Sequence, residues 1–379
     1  MAKISIIGTG FVADLYMRSL ETYPHIKILK VFDQDAARLN TFAKFWNVKA
    51  ANSIEDIIGK NASEDEIPDL ILNLTNPSSH YIVSKQCLEA NRNVYSEKPL
   101  ATKMKDAYEL HDIAKKRNLL LTSAPCSYLS EVAQTIWLAI RSNKIGQPLL
   151  VYAELDDDFI TQAPYKKWFS ESGAPWPFED EFKVGCTLEH AGYYLTWLMM
   201  IFGSVKKVIA ASAELVKNKV PNLENSAPDF STAILFFESG VIARITCGII
   251  APHNHGLRII GENGVIEVNE SWNNVAKVKI RKRFVIRRRL VNSIFAKKFK
   301  IKGKTHPKVP RRGAAAMNFA LGPAEVLAAI QEGKQTNCLA GFALHLNEVT
   351  LAIHNSLDSA GVQMMQTSCP TLVPMPWAK

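Results

Sequence analysis

The sequence has few cysteines and no long apolar run. Its six cysteines lie far apart without a C-x-x-C pair, which argues against a zinc ribbon or redox motif and agrees with a reducing compartment. The apolar run near Met1 is short and broken by glycine, unlike a secretory leader. No apolar stretch approaches the ~20 residues that cross a bilayer. These absences predict a cytoplasmic protein with free thiols.

Acidic residues are missing from one segment. Residues 271–312 carry 16 Lys and Arg and no Asp or Glu, whereas the other 29 basic and 36 acidic residues give the rest of the chain a net charge of −7. Alternation over 277–281 predicts an exposed edge strand, and apolar spacing over 286–299 predicts a basic amphipathic helix. Contact with an anionic membrane, an anionic substrate or the protein's own surface would each explain this segment. Binding to nucleic acid is the least favoured reading.

The length and composition indicate a soluble protein of two domains. The chain has 379 residues, of which 47% are hydrophobic and 21% charged, and this length is comfortable for two cores. A change in pattern near Ser127 divides it into residues 1–125 and 126–379. Strands and helices alternate in the first part, which predicts an α/β domain with a parallel sheet. Many short strands in the second part predict an α+β domain with a large, mostly antiparallel open sheet.

A glycine-rich turn near the N-terminus predicts a dinucleotide site. Lys3 to Ile7 is strand-like, and Gly8-Thr9-Gly10-Phe11-Val12-Ala13 follows at once before a helical stretch. Such glycines allow a tight turn and bring backbone amides close to a pyrophosphate. Asp33 ends the second apolar run, 20 residues after Ala13, where a carboxylate would accept hydrogen bonds from a ribose and repel a 2′-phosphate. This order of strand, glycines, helix, strand and acid predicts a Rossmann domain that binds NAD, with NADP less favoured.

Two polar loops follow later strands of the predicted sheet. The loops that leave the carboxyl ends of parallel strands line the ligand crevice, and here they carry the segments Thr75-Asn76-Pro77-Ser78-Ser79-His80 and Glu97-Lys98-Pro99. The residues predicted to bind the cofactor are Gly8, Thr9, Gly10, Phe11, Val12, Asp33, Arg38, Thr75, Asn76, His80, Glu97, Lys98 and Pro99.

The segment Val94-Tyr95-Ser96-Glu97-Lys98-Pro99-Leu100-Ala101, together with the N-terminal glycines, resembles the Gfo/Idh/MocA family of oxidoreductases. The resemblance covers nearly the whole chain apart from the basic segment. It implies that Lys98 reaches the junction of nicotinamide and substrate, that the bond before Pro99 is cis, and that the protein forms a homo-oligomer. An ammonium there would stabilise developing alkoxide charge, and desolvation would lower its pKa toward neutrality.

The stretch Gly185-Cys186-Thr187-Leu188-Glu189-His190-Ala191-Gly192-Tyr193-Tyr194 lies where that family carries Gly-Gly-x-x-x-Asp-x-Gly-x-His on a helix. Aligning Gly192 with the family's second conserved glycine makes His190 and Tyr194 the functional pair, four residues apart on one helix face. The other register makes Glu189 and Tyr193 the pair and replaces the glycine by Ala191. We favour the first, with Lys98, His190 and Tyr194 as catalytic residues and Lys98 lowering the phenol pKa.

The predicted reaction is oxidation or reduction of a secondary alcohol of a sugar, cyclitol or sugar derivative. Glycoside cleavage by transient oxidation and non-catalytic sensing of a dinucleotide are the alternatives. The aromatic segment from Trp168 to Glu181 is expected to close over the substrate or to pack as a surface loop. His253 and His255 resemble a ligand pair, but no third ligand stands at a useful spacing, so no metal is predicted.

Overall fold

The computed structural model describes residues 1–59, 63–219, 226–333, 336, 338–357 and 361–379. Its strands are β1 (Ala2–Ile7), β2 (Ile26–Phe32), β3 (Leu70–Asn73), β4 (Val94–Ser96), β5 (Leu121–Ser123), β6 (Pro148–Phe159), β7 (Val205–Ala213), β8 (Phe230–Phe237), β9 (Ile242–Gly248), β10 (Ile250–Asn254), β11 (Leu257–Gly261), β12 (Gly264–Val268), β13 (Val278–Ile286), β14 (Arg289–Asn292), β15 (Lys297–Phe299) and β16 (Val362–Met364). Its helices are α1 (Phe11–Leu20), α2 (Ala36–Trp46), α3 (Ile54–Ile57), α4 (His80–Glu89), α5 (Met104–Arg117), α6 (Glu131–Arg141), α7 (Phe178–Val184), α8 (Gly192–Phe202), α9 (Leu321–Glu332) and α10 (Ala340–His354).

The first sheet is parallel and has the order β2-β1-β3-β4-β5. Strands β3, β4 and β5 are fully buried, because helices cover both faces of a doubly wound sheet. The order reverses between β1 and β3, and the loops that leave these two strands therefore open a crevice at their carboxyl ends. This arrangement confirms the predicted Rossmann fold.

The second sheet has eleven strands among the described residues, and most of its pairs are antiparallel. The order is β14-β13-β12-β11-β6-β9-β8-β7-β16, with β10 on β6 and β15 on β13. The long strand β6 runs parallel to β9 and antiparallel to β11. Its burial alternates over Val151, Ala153 and Leu155, so one face of the sheet is covered while the other is open. The predicted class of the second domain is confirmed.

Two C-terminal helices join the second domain to the first. Helix α9 packs against β3, and α10 packs against α5, β5 and β7. Gly322 at the start of α9 lies against Tyr95, where an added Cβ would come within 2.4 Å of the ring. Asn347 of α10 accepts a hydrogen bond from the Ala101 backbone. The C-terminal helices therefore fix the position of the loop after β4.

One segment is apolar enough to be compared with a membrane span, contrary to the sequence expectation. Gly313–Glu332 has a mean hydropathy of 1.3. It is not one continuous α-helix, because a short 3₁₀ turn at Gly313–Ala316 precedes α9. Part of it is buried inside the protein, as in the core helix of a soluble domain.

All six cysteines are free thiols, as predicted, and five of them are buried.

The basic segment differs from its prediction. A strand is present at the predicted place and extends to Ile286, but it is not an exposed edge strand, because β13 pairs with β12 on one side and with β14 and β15 on the other. Residues 289–299 contain the strands β14 and β15 instead of a helix. Arg287 has φ +55° in the two-residue turn, and Ile286 pairs with Arg289 across it. Because β13 pairs with β12, it extends the second sheet and provides an edge for β14 and β15. This tertiary pairing overrides the helical spacing of the apolar residues. We call residues 278–299 the basic hairpin.

Candidate active site

A cavity of about 1100 Å³ lies between the two domains. This volume is at the upper end of the roughly 300–1,000 Å³ typical of small-molecule sites, so it leaves room for a dinucleotide and a sugar-sized molecule together. From the predicted set it is lined by Gly8, Gly10, Phe11, Val12, Asp33, Arg38, Thr75, Asn76, His80, Glu97, Lys98 and His190. Thr9, Pro99 and Tyr194 do not line it.

The glycine turn between β1 and α1 has the geometry of a phosphate cradle. Gly8 has φ +97°, and a Cβ there would lie 2.5 Å from the Leu74 carbonyl oxygen. Gly10 is the N-cap residue of α1. A Cβ added to Gly10 would have no heavy atom within 4 Å, so the space beside it is open. The first amides of α1 therefore face the cavity, and a diphosphate fits at this helix N-terminus.

Asp33 at the end of β2 is held by five donors. Its carboxylate accepts hydrogen bonds from the Thr9 backbone and hydroxyl at 2.8 and 3.0 Å and from the Asp35 backbone at 2.9 Å. Arg38 donates to both carboxylate oxygens, at 3.1 and 2.7 Å. Burial opposes its ionisation, but these hydrogen bonds lower the pKa of Asp33. A ribose hydroxyl must displace Arg38 to reach this carboxylate.

The loop after β3 is tied to the loop after β4 by His80. The two ring nitrogens of this buried histidine lie 2.7 and 2.8 Å from the carbonyl oxygens of Pro99 and Thr75. Burial lowers its pKa, although the two carbonyl acceptors act in the opposite direction. Asn76 at the tip of the same loop donates a hydrogen bond to Asp180 of α7. This contact crosses the cavity from the first domain to the second.

Lys98 forms an ion pair with Glu189 from the second domain, and both side chains line the cavity. The Lys98–Pro99 bond is cis, as the family resemblance implied. Burial alone would lower the pKa of Lys98, but the carboxylates of Glu189, Glu181 and Glu97 raise it well above its ordinary value. The expectation of a lysine pKa near neutrality is therefore wrong, because desolvation is outweighed by three acidic neighbours. Lys98 is held as an ammonium.

The acidic neighbours of Lys98 differ in acidity. Burial and the nearby Glu189 raise the pKa of Glu181 well above its ordinary value. Glu189 is also penalised by burial, but Lys98 and a hydrogen bond with Glu181 lower its pKa. Of the two carboxyl groups, Glu189 is therefore the stronger acid, and it is the ion-pair partner of Lys98. Burial also raises the pKa of Glu97, which accepts hydrogen bonds from the Tyr16 hydroxyl at 2.6 Å and the Lys98 backbone at 2.9 Å.

The helix that carries the family-like motif begins with a π turn. Thr187–Ala191 is π-helical and leads directly into α8. Tyr193 lines the cavity, whereas Tyr194 is fully buried beside Trp197 and donates a hydrogen bond to the His255 carbonyl. The structure thus does not bring Tyr194 to Lys98, and its predicted place at the reaction centre is corrected. The alternative register, with Glu189 and Tyr193, describes this geometry.

His190 reaches the cavity as predicted, although without Tyr194. Its Nε2 lies 3.5 Å from an oxygen of Asp157, and its buried Nδ1 has no hydrogen-bond partner. Burial lowers the pKa of this imidazole, so it is neutral at pH 7. It can therefore donate or accept a hydrogen bond at the cavity wall.

The aromatic segment around Trp168 and Trp176 forms part of the cavity wall. Trp168, Trp176 and Phe178 all line it, and the two tryptophan rings pack edge to face at 5.1 Å. Residues 178–184 form α7 instead of a loop. Sequence reasoning gave no role to Asp157 and did not separate Glu181 from its acidic neighbours. Only tertiary contacts identify Asp157 and Glu181 as site residues, because their spacing in the sequence does not.

Together the glycine turn, the polar strand ends and a charged lysine beside a carboxylate define a Rossmann-fold dehydrogenase with its substrate cleft between two domains. Residues 2–124 match the model of an oxidoreductase family with an NAD-binding Rossmann fold, and residues 133–267 match the GFO/IDH/MocA C-terminal domain. The chain belongs to the GFO/IDH/MocA family of oxidoreductases.

Relatives with named activities share the architecture at low identity. Trans-1,2-dihydrobenzene-1,2-diol dehydrogenase of Xenopus laevis is 24% identical over 269 residues, which are 70% of this chain and 74% of that protein. An inositol dehydrogenase homolog of Azotobacter vinelandii, complexed with NADH and myo-inositol, has a TM-score of 0.74 at 14% identity, covering 96% of this chain and 97% of the other. The WlbA dehydrogenase of Bordetella pertussis, in complex with NADH and UDP-GlcNAcA, has a TM-score of 0.69 at 16% identity, covering 96% and 98%.

Proposed function

We propose that this oxidoreductase transfers a hydride between NAD and a secondary alcohol of a sugar, cyclitol or sugar derivative. The observation that carries the proposal is the Lys98–Glu189 pair, which lies in the same cavity as the glycine turn. Relatives of the same fold are complexed with myo-inositol or UDP-GlcNAcA, which supports a polyhydroxylated substrate. The charged and polar side chains among the lining residues of the cavity support it as well.

The proposed chemistry divides the work among four side chains. The bound nicotinamide would supply the hydride acceptor. The Lys98 ammonium donates a hydrogen bond to the substrate oxygen and stabilises the negative charge that develops there. The ionised Glu189, which itself lines the cavity, holds Lys98 in place and accepts the hydroxyl proton directly. Burial raises the pKa of Tyr193, so its phenol acts as a neutral hydrogen-bond donor to the same oxygen. His190 orients the substrate beside Asp157.

NAD is the proposed cofactor, because Asp33 is ionised where the adenosine ribose would lie. Once a ribose hydroxyl displaces Arg38, this carboxylate is free to accept its hydrogen bond and to repel a 2′-phosphate. The displaced guanidinium could attract such a phosphate instead. The Asp33 carboxylate and the Arg38 guanidinium thus have opposite effects on the binding of a 2′-phosphate. We assign the greater weight to Asp33 because the Thr9 and Asp35 backbones also fix it.

A screen of sugars, cyclitols and sugar nucleotides, each with NAD and with NADP, tests this function. We expect reduced cofactor to accumulate with at least one polyol and faster with NAD than with NADP. The measurement is the absorbance of the reduced nicotinamide. Turnover only with NADP would contradict the assignment of Asp33, and no turnover with any alcohol would contradict the proposed reaction.

The two alternative functions give different results in the same screen. A glycosidase that works by transient oxidation would release sugar from glycosides without net reduction of NAD. A dinucleotide-sensing regulator would bind NADH and turn nothing over. The Lys98, Glu189 and Tyr193 side chains around one cavity favour catalysis over sensing.

The homo-oligomer and the cytoplasmic location stay predictions. The open face of the second sheet is the surface that we assign to the oligomer, and it presents a row that runs through Ile234, Arg244, Tyr152 and Arg258 on adjacent strands. Two arginines stack on the Tyr152 ring at 4.8 and 5.2 Å. Light scattering should give a molar mass above the 42.2 kDa of one chain, and a monomer would contradict the proposal.

We further propose that the basic hairpin docks on an anionic membrane. Its apolar side chains include Val285, Leu290, Ile294 and Phe295, which are 67% to 83% exposed. The exposed Arg287 and its neighbours in the sequence supply positive charge around them. Apolar groups with a basic rim match the interface of an acidic bilayer, at about 1 kcal/mol per basic residue near the surface.

Vesicle sedimentation tests the docking. We expect the full chain to sediment with phosphatidylserine vesicles at low salt and to remain in solution with phosphatidylcholine vesicles, because the attraction is electrostatic and screened by salt. The double variant Ile294→Asp/Phe295→Asp should lose most of this binding. Phe45→Ser, which removes an exposed aromatic side chain from α2, is the control. Equal recovery with both kinds of vesicle would reject the proposal.

A further inference from the structure

A cluster of histidines and acids lies at the edge of the cavity, and its two histidines have no part in the proposed hydride transfer. It contains Asp157 on β6, His253 on β10 and His255 directly after β10. One ligand atom from each residue lies within 4.8 Å of the other two. The two rings share one side of the strand, as residues i and i+2 do, with their centroids 4.1 Å apart.

The backbone of β6 and β10 is irregular at this point. Asp158 has φ +59°, and the pairing of β10 with β6 shifts register between Ala251 and Asn254. The Asp158 carboxylate accepts a hydrogen bond from the His253 backbone at 3.0 Å. Such bulges re-aim side chains next to functional sites. Here the Asp157 carboxylate lies opposite both imidazoles.

The distances fit a shared ion better than a hydrogen-bonded network. Asp157 Oδ1 lies 3.7 Å from His253 Nδ1 and 4.0 Å from His255 Nε2, both too long for hydrogen bonds. His255 is 1% exposed, and its Nε2 is buried without a hydrogen-bond partner. Two ligands at about 2.1 Å from a tetrahedral ion are roughly 3.4 Å apart, so contractions of about 0.3 and 0.6 Å at Asp157, and of at most about 1.4 Å between the two imidazoles, would complete the site. Rotation of the half-exposed His253 ring can bring its nitrogen closer to the other two ligand atoms.

Glu270 holds the other nitrogen of each imidazole. One of its oxygens lies 3.3 Å from His253 Nε2, and the other lies 3.0 Å from His255 Nδ1. A carboxylate behind a histidine is the arrangement that orients metal-binding imidazoles and makes them more basic. A single glutamate provides it for both rings, which leaves His253 Nδ1 and His255 Nε2 facing Asp157.

We propose that Asp157, His253 and His255 bind a divalent first-row transition metal ion, with Glu270 as the carboxylate that orients both histidines. Two imidazoles and one carboxylate suit zinc, iron, cobalt or nickel, whereas magnesium and calcium prefer oxygen ligands alone. The prediction of no metal was made because the sequence spacing offers no third ligand. Asp157, about 100 positions earlier in the chain, supplies it through the pairing of β10 with β6.

The test uses the tag-free, full-length protein freed of metal with a chelator and then titrated with Co²⁺ and Zn²⁺. We expect one equivalent of Co²⁺ to bind with visible ligand-field absorption, and Zn²⁺ to displace it. His253→Ala should abolish the absorption at the same concentrations. Glu270→Gln should weaken binding about 10- to 100-fold. His25→Ala, which removes an exposed histidine from the first domain, should change nothing.

Two results would overturn the metal site. One is the absence of stoichiometric binding by the unmodified protein. The other is binding that survives both His253→Ala and Glu270→Gln unchanged. His253 is 37% exposed on its side chain, so its replacement leaves the core intact, and thermal melting of each metal-free variant verifies that it is folded.

Discussion

The Lys98→Met variant is expected to lose at least ~10³-fold in kcat/KM for the alcohol substrate while it still binds NADH. Removing one preorganised donor from a reaction centre costs about 10²–10³ in rate. Here the change also leaves Glu189 without its partner in a buried position, which is more damaging than losing a donor alone. Steady-state turnover measures the first effect, and titration of NADH fluorescence measures the second.

The matched control is Lys103→Met, which removes an exposed lysine at the start of α5 and should leave both quantities unchanged. Because Lys98→Met breaks a buried ion pair, thermal melting must show that the variant is folded. Glu189→Gln keeps the shape of the partner and should reduce turnover as well, since it removes the proton acceptor. Normal turnover in both Lys98→Met and Glu189→Gln would refute the assigned centre.

The two adjacent tyrosines should respond in opposite ways to loss of the hydroxyl group. Tyr193→Phe should lower kcat by about 10²–10³-fold, the cost of removing one preorganised hydrogen-bond donor, with little change in stability. Tyr194→Phe should leave kcat within a few-fold. It should lower the free energy of unfolding by about 1–3 kcal/mol, because the buried His255 carbonyl loses its donor.

Paired measurements of kcat and of urea unfolding decide between the two tyrosines. Metal-free protein should be used for both variants, so that a change near His255 does not enter through metal binding. The reverse pattern, with Tyr194→Phe inactive and Tyr193→Phe merely unstable, would restore the register favoured by the sequence and would remove Tyr193 from the reaction centre.

The first domain could be predicted because its signals are local. The turn at Gly8 needs a residue with positive φ beside the Leu74 carbonyl, and Asp33 stands at the end of the next strand. The Lys98–Pro99 motif could be placed for the same reason. Each depends on residues that are close in sequence and on a strand order that follows from alternation.

The register of the helix at 185–202 could not be predicted from spacing. A π turn accommodates one more residue than an α turn, so alignment on Gly192 places the wrong tyrosine at the cavity. The helix prediction for the basic hairpin was wrong for a related reason. The spacing of Ile286, Leu290 and Ile294 suits a helix, but pairing with strands of the second sheet overrides it. Asp157 could not be found at all, because only the pairing of β6 with β10 brings it to the histidines.

The Asp157 carboxylate lies between His190 of the proposed active site and the two histidines of the proposed metal site. One carboxylate oxygen faces His190 at the cavity wall and the other faces His253 and His255. A cation on one side of this group would withdraw negative charge from the other. Thermodynamic linkage then requires reciprocity: whatever factor the ion contributes to the affinity for an alcohol, the alcohol returns to the affinity for the ion.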